Sequence, residues 1–86
     1  QAADELLSIK GVEASFTLFG DDHAVNISAR SLGNFNVQLI MEALGGGGHM
    51  TMAGAFLKDA TMVEVKQRLQ DAIDTYLEER EASSRP

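Results

Sequence analysis

The 86-residue sequence contains no cysteine, no tryptophan and one proline. The absence of cysteine excludes disulfide bonds and thiolate metal sites. Seven lysines and arginines stand against thirteen aspartates and glutamates, which gives a formal net charge of −6. A protein that coats nucleic acids through phosphate contacts usually carries a basic stripe, so this charge argues against that class. No run of about 18 or more apolar residues is present, which excludes a membrane-spanning helix from this sequence.

The composition otherwise indicates a soluble globular domain, because 44% of the residues are hydrophobic and 23% are charged. A chain of this length forms one small domain. We expect a single domain over residues 1–80 and a polar tail over residues 81–86. The sequence starts without methionine and ends in a polar segment, so we expect it to be a piece of a longer protein.

Hydrophobic periodicity predicts six elements in the order helix, strand, strand, helix, strand, helix. Their approximate ranges are helix 2–10, strands 12–19 and 23–30, helix 37–44, strand 52–57 and helix 61–78. The turn Gly20-Asp21-Asp22 joins the first two strands into an antiparallel hairpin. The last helix begins with the capping box Thr61-Met62-Val63-Glu64, and Asn36 is placed to cap the helix before it.

This order predicts an α/β (α+β) fold, in which a small mixed β-sheet with an antiparallel hairpin and one further strand is flanked by three helices. The segment between Arg30 and Met50 is long enough for a crossover, so we expect the second and third strands to be parallel. Arg30 and His49 would then lie near opposite ends of the short helix and hold different parts of an extended ligand.

Four consecutive glycines, Gly45, Gly46, Gly47 and Gly48, are followed by His49. Glycine destabilises regular structure by roughly 0.5–1 kcal/mol relative to alanine, so such a run indicates positive φ angles, bare amides, or both. Successive bare amides can bind an anion, which predicts a phosphate cradle. The loop follows a helix and receives the negative end of its dipole, which excludes Walker and Rossmann sites. A flexible linker or a permissive helix stop is the alternative.

Arg30 is the second candidate, because it lies at the polar face of a strand end beside Ser31, where a guanidinium can bind phosphate through two hydrogen bonds. An exposed arginine without a ligand is an equal alternative, and His49 as a cap of backbone groups is another. His23 and His49 are the only histidines. The residues around these two histidines are not spaced as in a metal site or a catalytic triad. We therefore predict neither metal ligands nor catalytic residues in this sequence.

Several short motifs together resemble the DHH-associated domain, the C-terminal substrate-binding domain of DHH-family phosphoesterases. They are the four glycines with His49, the following Ala53-Gly54, and the upstream segments Ser28-Ala29-Arg30-Ser31 and Asn36-Val37-Gln38-Leu39-Ile40. The resemblance runs from about Leu6 to Leu77. Within the superfamily the sequence is most similar to bacterial membrane-anchored cyclic di-AMP phosphodiesterases. Met52 departs from the pattern, because family members often have alanine there.

The resemblance implies one part of a larger hydrolase. It implies that Arg30, Ser31, the four glycines and His49 bind cyclic di-AMP or a short oligonucleotide, while an upstream DHH domain, absent here, holds manganese. This chain alone would hydrolyse nothing. The resemblance also implies a cytoplasmic location, with the parent protein anchored to the cytoplasmic membrane. The sequence leaves open whether the protein forms a homodimer. The alternatives are a domain of a nanoRNA/pAp phosphatase or RecJ-like exonuclease, an RNA-binding appendage, and a purely structural domain.

Overall fold

The computed structural model describes residues 3–9, 14–21, 23–33 and 35–84. In chain order its elements are β1 (Ala3–Ile9), β2 (Ala14–Gly20), β3 (Ala24–Ser31), α1 (Val37–Ala43), β4 (Gly47–Gly48), β5 (Met52–Lys58) and α2 (Met62–Ser84). Both ends of the predicted first helix and the predicted start of the next strand at residue 12 lie outside the described residues.

The strands form one sheet in the order β1-β2-β3-β5-β4, and every neighbouring pair is antiparallel. The predicted combination of helices with one sheet and the predicted β2–β3 hairpin are confirmed. The prediction of three helices is wrong, because the described residues form two. The sheet is also not mixed, since it contains no parallel pair among those residues.

The prediction that β3 and its partner β5 are parallel is wrong because of β4. After α1 the chain turns at Gly45, and β4 carries it back along the edge of β5. A hairpin turn then places Met52, the first residue of β5, opposite Arg30 at the end of β3. This extra short strand reverses the direction in which β5 runs. Glycine-only strands carry no hydrophobic alternation, so periodicity could not reveal β4.

The first predicted helix is wrong in its described part, because residues 3–9 form β1, which pairs with β2 along its whole length. The side chains of Leu7 and Ile9 pack against the core, whereas Leu6 is 69% exposed. Leu6 and Ile9 have helical spacing, and Leu7 and Ile9 have strand spacing. Pairing with β2 selects the strand. The backbone N–H and C=O groups along the edge of β2 would lack partners without β1, and β1 supplies those hydrogen bonds.

The hydrophobic core lies between one face of the sheet and the two helices. Its largest fully buried side chains are Phe16, Leu18 and Val25 from the sheet, Phe35 from the loop before α1, Val37, Ile40 and Met41 from α1, and Val65 and Leu69 from α2. These residues recur at every second position in the strands and at spacings of three or four in the helices, as binary patterning requires. The other face of the sheet is not covered by any described helix.

The two helix starts are built as predicted. The Asn36 side chain accepts a hydrogen bond of 3.1 Å from the backbone of Gln38 at the start of α1. The capping box of α2 is closed in both directions, with Thr61 N–H donating to Glu64 Oε1 at 3.1 Å and Glu64 N–H donating to Thr61 Oγ1 at 3.2 Å. α2 continues to Ser84, further than predicted. Neither described helix has the length and apolarity of a membrane span.

The capping box makes the stability of this fold depend on pH. Hydrogen bonds from the Thr61 backbone and hydroxyl hold the pKa of Glu64 below its ordinary value of 4.5. The charged carboxylate is thus favoured by folding, and its contribution is present above that value and is lost as the pH falls through the lower folded pKa. In urea unfolding series from about pH 6 to about pH 3, Glu64→Gln should therefore lose less stability on acidification than the wild type. Glu79→Gln, the same charge change on the same helix, is the control and should follow the wild-type curve.

Candidate functional site

The register of the strands arranges the side chains of the open face into three rows that cross the sheet. The aromatic row contains Asp4, Phe19, Asn26 and Phe56; the middle row contains Leu6, Thr17, Ser28 and Gly54; the arginine row contains Ser8, Ser15, Arg30 and Met52. β4 extends the middle row, because Gly47 lies opposite Gly54. The arginine row crosses the sheet where β3 ends and β5 begins.

Arg30 is an exposed cation in the centre of the arginine row. It borders a shallow cleft of about 320 Å³, whose other walls are Ser15, Ser31, Leu32, Thr51 and Met52. None of these residues is acidic, and no carboxylate in the described part of the chain lies within ion-pairing distance of the Arg30 guanidinium. An unpaired guanidinium in an open cleft is suited to binding a phosphate.

Arg30 and His49 lie at the same end of the sheet, which corrects the prediction that they lie at opposite ends. Arg30 is directly opposite Met52, and the His49 N–H donates a 2.7 Å hydrogen bond to the Met52 carbonyl. Met52 therefore separates the two residues, whose backbones are about 10 Å apart, or two strand spacings. The two residues are therefore neighbours at one end of the open face.

Two of the glycines end helix α1 in a Schellman motif. Gly45 has φ of +88°, and its N–H donates to the Glu42 carbonyl at 3.1 Å. The Gly46 N–H donates to the Met41 carbonyl at 2.7 Å. Because these amides and that of His49 already bond to protein carbonyls, they are not available to an anion. In this structure the amides of Gly45, Gly46 and His49 therefore do not form a row of free donors. A role of these residues in substrate binding stays a prediction.

The four glycines differ in what surrounds them. A Cβ on Gly46 would lie 2.1 Å from the Gly54 carbonyl oxygen, and one on Gly48 would lie 2.5 Å from the Ala53 Cα. Gly46 and Gly48 thus let β4 pack against β5. A Cβ on Gly47 would meet nothing within 4 Å, and its φ is not positive. Neither packing against the described residues nor backbone conformation requires glycine there.

Ser31 is 9% exposed and its hydroxyl is used within the protein. Its Oγ donates to the Phe35 carbonyl at 2.6 Å and accepts a weak bond of 3.4 Å from the Gly33 N–H. Its own N–H donates to the Thr51 carbonyl at 3.0 Å. Ser31 therefore ties the turn before β5 to the end of β3. The structure does not bring its hydroxyl to the cleft surface as a free group.

His49 is exposed, and its backbone closes the β4–β5 turn through reciprocal bonds with Met52 of 2.7 Å and 3.3 Å. No hydrogen bond among the described residues uses its imidazole. The backbone of His49, rather than its side chain, thus performs the capping role that was the alternative to ligand binding. No group of three or more histidines, aspartates and glutamates in the described ranges could hold a metal ion.

Three residues on the same face as Arg30 were not predicted as binding residues, although Met52 and Gly54 lie within the family motif. Met52 is 52% exposed between Arg30 and His49, Ser15 faces Arg30 from β2, and Gly54 lies beside Gly47. The placement of Met52 and Gly54 on the open face follows from the alternation of side chains along β5, once the face that packs on the core is known. Ser15 could be found only from the β2–β3 register, because pairing partners on different strands are not encoded by local periodicity.

Comparison with known proteins matches the chain to one family and to several curated proteins. The family described as the DHHA1 domain matches residues 1–79. The cyclic-di-AMP phosphodiesterase PdeA of Listeria monocytogenes is 54% identical over 88% of this chain. The cyclic-di-AMP phosphodiesterases GdpP of Geobacillus thermodenitrificans and Bacillus subtilis are each 56% identical over 91% of it. The chain spans 12% of the length of each of these relatives.

The matched range contains every element of the fold except the last turn of α2, and it contains Arg30, the four glycines and His49. Identities above one half over most of the chain are far beyond chance similarity for an alignment of this length. The chain belongs to the DHHA1 domain family, the accessory domain of DHH-family phosphoesterases.

Proposed function

We propose that this chain is the substrate-binding domain of a phosphodiesterase that hydrolyses cyclic di-AMP or a related dinucleotide. The observation that carries the proposal is Arg30, which pairs with no carboxylate among the described residues and lies on the same open face, two strands from Gly47, the one loop glycine that neither packing nor φ requires. The names of the relatives supply the substrate class, because each is a cyclic-di-AMP phosphodiesterase. The share of those relatives outside this match is large enough for a separate catalytic domain.

In this proposal the chain binds and orients the substrate. The Arg30 guanidinium donates two hydrogen bonds to non-bridging phosphate oxygens, which fixes the phosphorus relative to the attacking water. The His49 imidazole donates to an adjoining oxygen, and Gly47 and Gly54 let the ribose approach the sheet closely. Ser31 acts indirectly by holding the turn that carries His49.

On the family resemblance alone, we assign manganese to an upstream DHH domain of the same protein. A bound divalent metal would activate water and stabilise charge on the phosphate. This chain alone would then bind nucleotide without hydrolysing it. A cytoplasmic parent protein with a membrane anchor, and a homodimer of it, are further parts of the proposal, and only the family resemblance supports them.

The test is a hydrolysis assay with a longer protein that carries this chain after its natural upstream domain. With manganese present, we expect that protein to open cyclic di-AMP, and the 86-residue chain alone to leave it intact. Failure of the longer protein to cleave any cyclic or linear dinucleotide would overturn the proposal. Cleavage of pAp or short RNA in place of cyclic di-AMP would favour the nanoRNA/pAp phosphatase alternative.

A further inference from the structure

The aromatic row places two exposed rings on either side of an amide. Phe19 is 41% exposed on β2, Phe56 is 58% exposed on β5, and Asn26 lies between them on β3. Neighbouring strands are about 4.8 Å apart, so the backbones that carry the two rings are separated by about 10 Å. A flat ring stacked between two others needs roughly 7–8 Å between the outer pair. A small inward lean of the two phenylalanine side chains would meet that distance.

Asn26 forms the floor of this gap. It is half-buried, and no hydrogen bond between described residues uses its side-chain amide. An asparagine amide offers one acceptor and two donors, which match the N6 amino group and the N7 atom of adenine. Aromatic side chains on an open sheet are a common platform for stacking nucleobases.

The rest of the open face argues for a ligand rather than for a protein partner. Between the aromatic row and the arginine row lie Leu6 on the edge strand β1 and, towards the centre, Thr17, Ser28 and Gly54, which are small and leave a shallow polar strip. A protein interface core is usually filled by large apolar side chains, and here an unpaired amide would be buried between the two rings. A nucleotide, by contrast, satisfies the amide and leaves its ribose over the small residues.

We infer that Phe19, Asn26 and Phe56 form a clamp for one adenine base of the dinucleotide whose phosphate Arg30 binds. This inference rests on the proposed function for the ligand class, and it adds a subsite outside the glycine-histidine and arginine-serine motifs. Asn26 and Arg30 are four residues apart on β3, or about 13 Å. That separation between the two backbones suits a base and a phosphate of one dinucleotide.

The test is a titration of the 86-residue chain with 5′-phosphorylated linear di-adenylate, followed by two-dimensional NMR of its backbone amides. We expect signals of Phe19, Asn26 and Phe56 to move together with those of Arg30. Phe56→Ala and Phe19→Ala should each weaken binding between about 5- and 150-fold, the range measured for removing one base–aromatic stack. Both rings are exposed, so their removal should leave the core intact. The amide spectrum of each variant verifies that it folds.

Two matched comparisons isolate the clamp. Linear di-inosinate, in which a carbonyl replaces the N6 amino group, should bind about tenfold more weakly than di-adenylate to the wild type. In Asn26→Ala that difference should disappear. Leu6→Ala, which removes another exposed apolar side chain from the same face, should bind like the wild type.

The outcomes separate this inference from the proposed function. If Arg30→Ala loses binding while the phenylalanine variants keep it, the clamp is overturned and the proposed function stands. If the wild-type chain binds no di-adenylate, the clamp is also overturned, and hydrolysis by the longer protein still decides the proposed function. Self-association of the chain that Phe56→Ala relieves would identify the face as a protein interface and overturn the clamp.

Discussion

Arg30→Ala is expected to weaken binding of linear di-adenylate to this chain by about 10- to 150-fold while the fold remains intact. A hydrogen bond to a charged group contributes roughly 1.5–3 kcal/mol, and no carboxylate among the described residues competes for this guanidinium. Because Arg30 is exposed, the change should alter the free energy of unfolding by no more than about 0.5 kcal/mol. Isothermal titration measures the affinity, and urea unfolding measures the stability.

Two variants control for charge alone. Arg30→Lys keeps the charge but loses the planar pair of donors, so its affinity should lie between those of the wild type and Arg30→Ala. Lys58→Ala removes a cation from the far end of the same open face, opposite Ala24, and should leave the affinity nearly unchanged. Equal losses for Arg30→Ala and Lys58→Ala would mean that the whole face attracts the nucleotide by its charge, and that Arg30 is not a specific contact.

Gly46→Ala and Gly47→Ala are expected to have opposite effects although the residues are adjacent. A Cβ at residue 46 would lie 2.1 Å from the Gly54 carbonyl oxygen, so β4 must separate from β5 and the chain should lose about 1–3 kcal/mol of stability. A Cβ at residue 47 would meet nothing within 4 Å. Gly47→Ala should therefore unfold like the wild type or slightly later, because alanine restricts the unfolded chain.

Gly47→Ala, which should leave the stability unchanged, is expected to affect nucleotide binding. Gly47→Ala should weaken binding of linear di-adenylate severalfold, because its methyl group would fill the space that we assign to the ligand. Urea unfolding and titration of the same two samples measure both quantities. Wild-type affinity in Gly47→Ala would show that no ligand approaches this glycine, and wild-type stability in Gly46→Ala would contradict the packing of β4 on β5.

The elements with local signals were predictable. α1 and α2 have amphipathic spacing together with side-chain caps at Asn36 and Thr61, and both caps form the expected hydrogen bonds. The β2–β3 hairpin has strict alternation around a turn of glycine and aspartate. Each of these signals depends on residues within about one turn or one strand, so the rest of the chain does not alter it.

The errors occurred where pairing with a distant segment decides the structure. The Leu6-Leu7 pair fits either a helix or a strand, and the free edge of β2 selects the strand. The reversed direction of β5 follows from β4, whose two glycines have no side chains to show a pattern. The error in β5 also misplaced Arg30 relative to His49, because the positions of both residues depend on the direction of that strand.

The sequence by itself determined which residues are candidates: a run of glycines with His49, and Arg30 at a strand end, in a chain without metal-binding patterns. Only the tertiary structure decided the structural role of each of these glycines. It assigned Gly45 to the helix end by its positive φ and Gly46 and Gly48 to the contact with β5, and it left Gly47 as the one that neither φ nor packing requires to be glycine. The physical reason is that any glycine permits both a positive φ and the close approach of another segment. The neighbouring backbone in the folded structure determines which of the two each glycine is needed for.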